Sequence, residues 1–388
     1  MIKVLLVMTA RQVGGAELYV ERLVRALADK CQFTIAISDH PNMRELSARL
    51  SRSASVLPFA FDRVSSLFNV ARDLRRLAAG HDVVHVNSNH PASRLGILMG
   101  FLLGGRSTPV VCVEHRATLV SDVVVPRSLA WCLPTLFRWS RRDVARVIAV
   151  SHQNANVLVQ YYHLPPSNIE VVYNGVDLDE YSAASPTTPT LRQELGLGDD
   201  QPVILVLARL QPSKGHRFLI QAAPDILAQF PNAHFVFAGS PDDHTLLDQQ
   251  VAQANLTDKF SILGHRADVV NLLRSSDVFV LPSLAEGFAL SIIEALAAGL
   301  PVVATQVGGA AEIIVHGGNG FLVPPADAAA LSCSVKHVLS LDASTRSRLC
   351  RVALDTAQRF STQATAQGMF EIYQNVIAGA SQRGSLQI

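Results

Sequence analysis

Hydrophobic residues are grouped along the chain in short runs that alternate with longer segments of helical periodicity. The short runs are rich in Val, Ile and Leu, and they predict strands at Lys3–Met8, Phe33–Ser38, Val83–Val86, Val110–Val113, Val147–Val150, Ile169–Val172, Val203–Ala208, His234–Ala238, Lys259–Leu263, Val278–Leu281, Val302–Thr305 and Gly320–Val323. The longer segments predict helices at Ala16–Lys30, Leu67–Ala79, Ala92–Leu103, Arg127–Arg141, Asn154–Tyr162, Gly215–Gln229, Asp242–Ala254, Ala267–Ser275, Ser291–Ala298, Ala326–Ser340, Ala343–Phe360 and Ser361–Ala378. Regular alternation of this kind predicts an α/β fold with doubly wound parallel sheets.

The length of 388 residues favours two domains rather than one. Strands and helices alternate in two successive blocks, and the segment Ser182–Thr190 between them is small, polar and contains proline. Such a segment suits an exposed link between domains. The segment Asn174–Tyr181 closes the first block, and we place the boundary within it, with the first block ending at residue 178 and the second beginning at residue 179.

Overall composition adds little to this picture, whereas the distribution of charge along the chain gives a prediction about a partner. The chain is 49% apolar and 17% charged, and its net charge of +1 gives no reason to expect a nucleic-acid partner. Residues 1–180 contain 20 Lys and Arg against 15 Asp and Glu, whereas 181–388 contain 13 against 17. This asymmetry predicts that the amino-terminal half meets an acidic partner.

Cysteine usage and the apolar runs favour a cytoplasmic protein. The five cysteines are odd in number and form no CxxC pair, as is usual in a reducing compartment. The first apolar run leads into a glycine loop and is too short for a signal peptide. The run Leu95–Leu103 is too short to span a bilayer.

Two carboxylates, Glu286 and Glu294, follow the predicted strand Val278–Leu281 and flank the start of the next helix. In an open α/β sheet, the loop at the carboxyl end of a strand forms part of the ligand crevice. The start of a helix also binds anions well. Because two acids would repel a phosphate, they are better suited to neutral hydroxyl groups. An anion site at a helix start, beside two carboxylates that suit hydroxyl groups, suggests that the ligand is a sugar nucleotide.

Four further strands end in polar loops that could complete such a site. The strand Val203–Ala208 ends in Arg209, and Lys214 lies five residues further on. Gly14 and Gly15 open the first helix, where paired glycines let backbone N–H groups approach a phosphate. The dinucleotide fingerprint G-x-G-x-x-G is absent there, which disfavours a nicotinamide-dependent oxidoreductase. The loops with His115 and with Arg266 also follow predicted strands.

These motifs, in this order, resemble the retaining GT-B glycosyltransferases of family 4, also called glycosyl transferases group 1, over nearly the whole chain. The resemblance implies two Rossmann-like domains that face each other across a cleft. The acceptor would bind to residues 1–178, which the terminal segment 362–388 rejoins as a crossover helix, and the nucleotide sugar would bind to 179–361. A UDP- or GDP-linked sugar would be the donor, and a glycan or a lipid-linked sugar the acceptor.

The resemblance also implies a role for each motif. Arg209 and Lys214 would stabilise the diphosphate, Glu286 would hold sugar hydroxyls, and His115 would contact the donor sugar. Further donor contacts would come from the glycine loop, the base-binding loop and the start of the helix, namely Gly14, Gly15, Arg266, Gly287, Phe288, Ala289, Leu290, Ser291 and Glu294. No cofactor and no metal is expected, because the Asp177-x-Asp179 pair occupies a segment that is structural in this family.

Structural explanations remain open for several of these residues. Ser291 and Glu294 fit a capping box, Glu114 could pair with Arg116, and Asp268 could be an N-terminal helix acid. A sugar-nucleotide epimerase and a non-enzymatic sugar-nucleotide-binding protein share the expected architecture and remain alternatives to the transferase.

The segment 127–142 carries both tryptophans of the chain among several arginines. A basic stretch with aromatic anchors can lie on an anionic membrane surface, and the alternative is a partly buried helix with a solvated basic end. Together with the resemblance, it predicts synthesis of a bacterial surface polysaccharide or lipopolysaccharide on the cytoplasmic face of the inner membrane. Acceptor choice would lie in residues 39–64, 88–93 and 118–126.

Overall fold

The computed structural model describes residues 1–61, 67–87, 108–115, 144–182, 189–240 and 244–385. The predicted helices at 92–103 and 127–141, the basic segment 127–142 and most of the predicted acceptor loops lie outside these residues. The chain divides into two compact units. Unit 1 comprises residues 1–175 and 362–388, and unit 2 comprises residues 176–361.

The described part of unit 1 contains a sheet of seven parallel strands. They are β1 (Ile2–Met8), β2 (Cys31–Ser38), β3 (Ser55–Phe59), β4 (Val83–Asn87), β5 (Val110–Glu114), β6 (Arg146–Ala149) and β7 (Ile169–Val171). Their order across the sheet is β3-β2-β1-β4-β5-β6-β7. Helices α1 (Gly15–Ala26), α2 (Arg44–Leu50), α3 (Leu67–Ala78) and α4 (His152–Gln160) connect or flank them.

The described part of unit 2 contains a sheet of six parallel strands. They are β8 (Val203–Leu207), β9 (His234–Ala238), β10 (Phe260–Ile262), β11 (Val278–Leu281), β12 (Val302–Thr305) and β13 (Gly320–Val323), in the order β10-β9-β8-β11-β12-β13. The helices are α5 (Leu178–Ser182), α6 (Leu191–Leu195), α7 (His216–Gln229), α8 (Thr245–Gln253), α9 (Val269–Arg274), α10 (Leu290–Ala297), α11 (Ala310–Ile313), α12 (Ala328–Leu339) and α13 (Ala343–Gln358).

The core of each unit lies between its sheet and the covering helices. All residues of β4, β5, β9, β11 and β12 are buried. Strands that are covered on both faces must be apolar on both faces, which is why they stand out in the sequence as continuous hydrophobic runs. These sheets confirm the predicted doubly wound α/β class.

The terminal helix α14 (Thr362–Ser385) belongs to unit 1, where it packs against α1 and β4. Tyr373 of this helix is fully buried, and its hydroxyl lies 2.5 Å from Nδ1 of His85 on β4. In the described part of the chain, no helix has both the length and the apolarity that crossing a membrane requires.

Candidate functional site

The strand order reverses between neighbouring strands in each sheet, and most predicted site residues lie at these switch points. In unit 1, β1 lies beside β4, Gly14 follows β1 and Asn87 ends β4. In unit 2, β8 lies beside β11, Lys214 follows β8 and Glu286 follows β11. Open α/β sheets bind ligands at the carboxyl ends of the strands where the order reverses. Each unit therefore presents a candidate ligand-binding edge of its own.

An ion pair occupies the switch point of unit 2. Nζ of Lys214 lies 2.6 Å from Oε1 of Glu286, and Oγ of Ser283 donates a hydrogen bond of 2.6 Å to the same oxygen. The side chains of Lys214 and Glu286 are only 15% and 8% exposed, and Ser283 is fully buried. A carboxylate that is withdrawn from water needs such partners, because desolvation of an unpaired charge is costly. An ammonium group and a carboxylate are thus held in fixed positions at the sheet edge.

Close backbone packing fixes the loop that carries Glu286. Gly308, which follows β12, has a φ of 56°, and a Cβ atom there would lie 2.2 Å from the carbonyl oxygen of Glu286. Gly215 has a φ of 69°, and its Cβ would lie 1.9 Å from the carbonyl oxygen of Pro282. Side chains at either position would collide with the loop, so glycine is required. Oγ1 of Thr305 adds a hydrogen bond of 2.5 Å to the carbonyl oxygen of Ser283.

Helix α10 begins directly after this loop at Leu290, and no side chain of the described residues caps its N-terminus. Its N-cap residue is Ala289, so Ser291 is the second residue of the helix and Glu294 the fifth. The capping-box alternative for Ser291 and Glu294 is therefore wrong. Glu294 lies one turn into the helix, on the same face as Leu290 and Ser291. The N–H of Ile292 donates a hydrogen bond of 3.1 Å to the carbonyl oxygen of Ala289. Within the described residues, the N–H groups of Leu290 and Ser291 have no such partner and are left for a ligand or for water.

Some helices of unit 2 have a side-chain cap at their N-terminus, and others, such as α8, α9 and the helices that begin near Glu286, have none within the described residues. Helices α6, α12 and α13 have the side-chain caps Thr190, Asp327 and Asp342. Helix α7, which begins beside Lys214, has Gly215 at its N-cap and, within the described residues, no side-chain cap. Burial, and secondarily the charge of Lys214, lowers the pKa of His216 in the first turn to about 4. His216 is therefore neutral at physiological pH, and the positive charge near this helix start belongs to Lys214.

Other residues of unit 2 that are predicted to bind the sugar nucleotide include Arg209, Gly287 and Phe288. Arg209 is exposed beyond the end of β8, and within the described residues its side chain has no hydrogen-bond or ion-pair partner. The carbonyl group of Gly287 accepts a hydrogen bond of 3.0 Å from the N–H of Gly309. The ring of Phe288 packs on that of Phe360, with centroids 5.7 Å apart, so this ring belongs to the core of the unit.

Arg266 is held between two carboxylates. Its Nε and Nη2 donate to Asp268 over 2.7 Å each, and its Nη1 and Nη2 donate to Glu194 over 2.7 and 2.9 Å. These bonds raise the pKa of Arg266 and, together with a bond from Asn271, lower the pKa of Asp268 to about 2. Asp268 stands at the N-cap position of α9, but no side-chain cap bond forms there among the described residues. All four bonds use the edge of the guanidinium group, which leaves its faces for stacking.

The glycine loop of unit 1 leads into helix α1. Gly14 is the N-cap residue, and its N–H donates a hydrogen bond of 2.9 Å to Oε2 of Glu17. Glu17 is buried, with 3% of its surface exposed. Gly15 is the first residue of the helix. The N–H of Gly14 is therefore engaged inside the protein, contrary to the expectation that both glycines of the loop offer their N–H groups to a phosphate.

His115 follows β5 and binds two asparagines with its ring nitrogens. Nε2 lies 2.6 Å from Oδ1 of Asn87, and Nδ1 lies 3.2 Å from Nδ2 of Asn174. The ring of Tyr19 meets that of His115 edge-on, with centroids 4.9 Å apart. Neighbouring Glu114 is buried, and its carbonyl oxygen accepts a hydrogen bond from Asn154. Its alternative partner Arg116 lies outside the described residues.

Sequence reasoning did not identify the residues that support Glu286 and His115. Ser283, Thr305 and Gly308 hold the loop of Glu286, while Asn87 and Asn174 hold His115. A usable signal existed for Asn87, because a polar residue ends a strand there at the switch point. In the described part of the chain, no group of three or more His, Cys, Asp or Glu side chains is arranged to hold a metal ion.

Comparison with known proteins matches both units to glycosyltransferase families. The model named Glycosyltransferase Family 4 matches residues 13–180, and the model named Glycosyl transferases group 1 matches residues 187–354. HepE of Anabaena, solved in complex with UDP and glucose, has a TM-score of 0.81 at 24% identity and covers 97% of this chain and 100% of that chain. Its likeness shows that the fold is GT-B.

Three relatives differ in how much of their length the chain matches. An uncharacterized glycosyltransferase of Methanocaldococcus jannaschii is 35% identical over 205 residues, which are 52% of each protein. The UDP-Gal:alpha-D-GlcNAc-diphosphoundecaprenol alpha-1,3-galactosyltransferase of Escherichia coli is 29% identical over 63% of this chain and 62% of that protein. The D-inositol 3-phosphate glycosyltransferase of Geodermatophilus obscurus is 30% identical over 96% of this chain and 88% of that protein. The chain thus spans less than two thirds of the first two relatives.

Proposed function

The chain belongs to the glycosyltransferases that combine a family 4 domain with a group 1 domain, and on this premise we propose that it transfers a sugar from a nucleotide-diphosphate sugar to an acceptor hydroxyl. The transfer retains the anomeric configuration of the donor. The observation that carries the proposal is the ion pair of Lys214 and Glu286 beside the uncapped start of α10. A cation and free N–H groups suit a diphosphate, and a fixed carboxylate suits the sugar hydroxyls.

The donor is a UDP- or GDP-linked sugar that binds at the switch point of unit 2. The UDP seen in HepE supports this class of ligand. Lys214, Arg209 and the N–H groups of Leu290 and Ser291 bind the diphosphate. When the donor binds, the ammonium group of Lys214 shifts its contact from Glu286 to a phosphate oxygen. Glu286 is then available to accept hydrogen bonds from the sugar.

Binding of the nucleoside uses the residues on either side of the diphosphate. Gly287, Phe288 and Ala289 line the donor with their backbone, since the ring of Phe288 is packed in the core. Glu294, one turn into α10, accepts hydrogen bonds from the ribose hydroxyls. Arg266 stacks on the base with the face of its guanidinium group, which Glu194 and Asp268 keep in one plane.

The reaction takes place on the face of the sugar from which the diphosphate departs. The bond between the anomeric carbon and the phosphate oxygen breaks, and the acceptor oxygen bonds to the same face of that carbon. The acceptor proton passes to the departing phosphate oxygen. Arg209, Lys214 and the start of α10 stabilise the negative charge on this phosphate, so catalysis is mainly electrostatic. Because these groups supply positive charge, we propose that no metal ion is needed.

Unit 1 binds the acceptor and contributes His115 and the loop of Gly14 and Gly15. His115 accepts a hydrogen bond from a hydroxyl group of the donor sugar. The E. coli relative acts on a sugar carried by diphosphoundecaprenol, which supports a lipid-linked acceptor in the synthesis of a surface polysaccharide or lipopolysaccharide. Such an acceptor fits an enzyme at the cytoplasmic face of the inner membrane, with residues 127–142 as the proposed membrane contact.

The experiment is a turnover assay of the full chain with a panel of UDP- and GDP-sugars, in the presence of EDTA. Lipid-linked sugars, oligosaccharides and inositol phosphates serve as acceptors. We expect release of free nucleotide only when donor and acceptor are both present, and a product with the donor's anomeric configuration by NMR. Glu286→Ala abolishes turnover while leaving the fold intact. An inverted product would refute retention, and turnover that needs a divalent cation would refute metal independence. No turnover with any pair would contradict the function itself.

A further inference from the structure

The loop that carries Lys214 is fixed by its backbone to the loop that follows β11. The N–H of Leu284 donates a hydrogen bond of 2.8 Å to the carbonyl oxygen of Ser213, the residue before Lys214. On the other side of Lys214, Gly215 lies so close to Pro282 that a Cβ atom would be 1.9 Å from the carbonyl oxygen of this proline. A movement of the ammonium group therefore comes from the flexible four-carbon side chain of Lys214 and not from its loop.

The two carboxylate oxygens of Glu286 differ in their partners. Oε1 accepts hydrogen bonds from Nζ of Lys214 and Oγ of Ser283, each over 2.6 Å, whereas Oε2 has no hydrogen-bond partner within the described residues. If Lys214 turns away, Ser283 still holds Oε1, but the carboxylate loses the one cation that pairs with it in the described part of the chain. Because the side chain of Glu286 is only 8% exposed, such a loss is costly unless other donors replace the ammonium group.

We propose that Glu286 competes with phosphate for Lys214, and that this competition favours the intact sugar nucleotide over the nucleotide diphosphate that remains after transfer. A diphosphate that binds without a sugar pairs with the ammonium group and leaves Glu286 unpaired. An intact donor also brings sugar hydroxyls, whose hydrogen bonds to the carboxylate offset the lost ion pair. Once the sugar has been transferred, Lys214 returns to Glu286, which weakens binding of the product nucleotide. The inference rests on the proposed function, because that function assigns the diphosphate to Lys214 and the sugar to Glu286.

The test is calorimetric titration of the full chain with UDP, GDP and pyrophosphate, in the wild type and in Glu286→Gln. The amide oxygen of Gln can still accept from Ser283, but the uncharged side chain forms no ion pair. We expect pyrophosphate and the preferred nucleotide to bind about tenfold more tightly to Glu286→Gln. The matched control is Asp225→Asn of the same unit, because one oxygen of Asp225 likewise accepts from a lysine, Lys336, and a serine, Ser332. This control should leave the affinities unchanged.

A double-mutant cycle separates competition for the ammonium group from plain repulsion between the carboxylate and the phosphate. In the Lys214→Ala background we expect Glu286→Gln to change these affinities less than about twofold, because no ammonium group is left to compete for. Repulsion alone predicts the same gain with and without Lys214. Cooperative thermal unfolding shows that each variant is folded, and Glu286→Ala, which also lacks the ion pair, should bind the diphosphates more tightly as well.

The outcomes for the inference and for the proposed function are distinct. Glu286 variants that bind the diphosphates no more tightly than the wild type would overturn the inference. A gain in affinity that persists in the Lys214→Ala background would overturn it too. The expected affinities in a wild type that turns over no donor and acceptor pair would instead refute the proposed function.

Discussion

The switch points of the two units have the same topology but opposite chemistry. In unit 2 the strands flanking the reversal lead to a charged pair, Lys214 and Glu286, whose side chains are 15% and 8% exposed. In unit 1, Asn87 ends β4 at the reversal and contacts His115, which follows the neighbouring strand β5 and also contacts Asn174. Parallel sheets therefore fix where a ligand can bind, whereas the side chains at the strand ends decide which ligand it is. A charged pair suits the diphosphate, and amide and imidazole groups suit uncharged hydroxyls.

Removal of the cation from the charged switch point should have the largest effect. Lys214→Ala takes away a group that stabilises the leaving phosphate and also leaves Glu286 without its ion-pair partner. We expect kcat to fall several hundredfold, which corresponds to ~3–4 kcal/mol. Lys259→Ala, a partly exposed lysine of the same unit that pairs with Asp258, should leave kcat unchanged. Equal rates for the two variants would show that the charge at this switch point is not catalytic.

Loss of the hydrogen bond behind the charged pair should have an intermediate effect. Ser283→Ala removes the hydroxyl that donates to Glu286 over 2.6 Å. Hydrogen bonds to charged groups contribute ~1.5 kcal/mol or more, so kcat/KM should fall about tenfold. The matched control is Ser276→Ala, which removes a hydroxyl that donates to the backbone carbonyl group of Leu272 in the same unit. A drop of the same size in both variants would mean that Ser283 does not act through Glu286.

A smaller effect is expected where charge only orients a side chain. Glu194→Gln weakens the bidentate bond that keeps the guanidinium group of Arg266 in its plane. Because this pair is partly exposed, affinity for UDP should weaken only about two- to fivefold, while affinity for pyrophosphate stays the same. Glu45→Gln, in an exposed pair of unit 1, serves as the control. An equal loss for UDP and pyrophosphate would argue against stacking of Arg266 on the base.

The smallest expected effect is that of replacing Asp268 on the free energy of unfolding in acid. The pKa of Asp268 is lowered from 3.8 to about 2, chiefly by its hydrogen bond with Arg266. A depressed carboxyl pKa contributes stability that is present above the unfolded value and is lost as pH falls through the folded value. Asp268→Asn should therefore be less stable than the wild type at neutral pH, and the difference should shrink between pH 4 and pH 2. Urea unfolding at several pH values measures this, and a difference independent of pH would contradict it.

The sequence predicted the strands and the strand ends of the site more reliably than the contacts between them. Strands β9, β11, β12 and β13 have the predicted bounds, and the first three are fully buried, which makes them largely apolar runs. Strand β3 was missed because Ser55–Phe59 is a short edge strand that contains Pro58. The short helices α2, α5, α6 and α11 were missed as well, since four to seven residues show little periodicity.

Contacts within the site could not be predicted, because they join residues that are distant along the chain. Lys214 and Glu286 are 72 residues apart in sequence, and His115 is 28 and 59 residues from its asparagine partners. A motif shows that a residue stands at the end of a strand. Whether it pairs with another site residue depends on strand order and loop conformation, which local patterns do not encode. The roles of the site residues remain predictions that the experiments above address.

Calorimetric titration of the full chain with UDP and with GDP, in EDTA, measures whether the charged switch point of unit 2 holds the diphosphate of the donor. We predict that one of the two nucleotides binds the wild type, that Lys214→Ala weakens its binding at least about tenfold, and that His115→Gln in unit 1 leaves it unchanged. Absence of binding by both nucleotides, or equal affinity in the wild type and Lys214→Ala, would contradict the account.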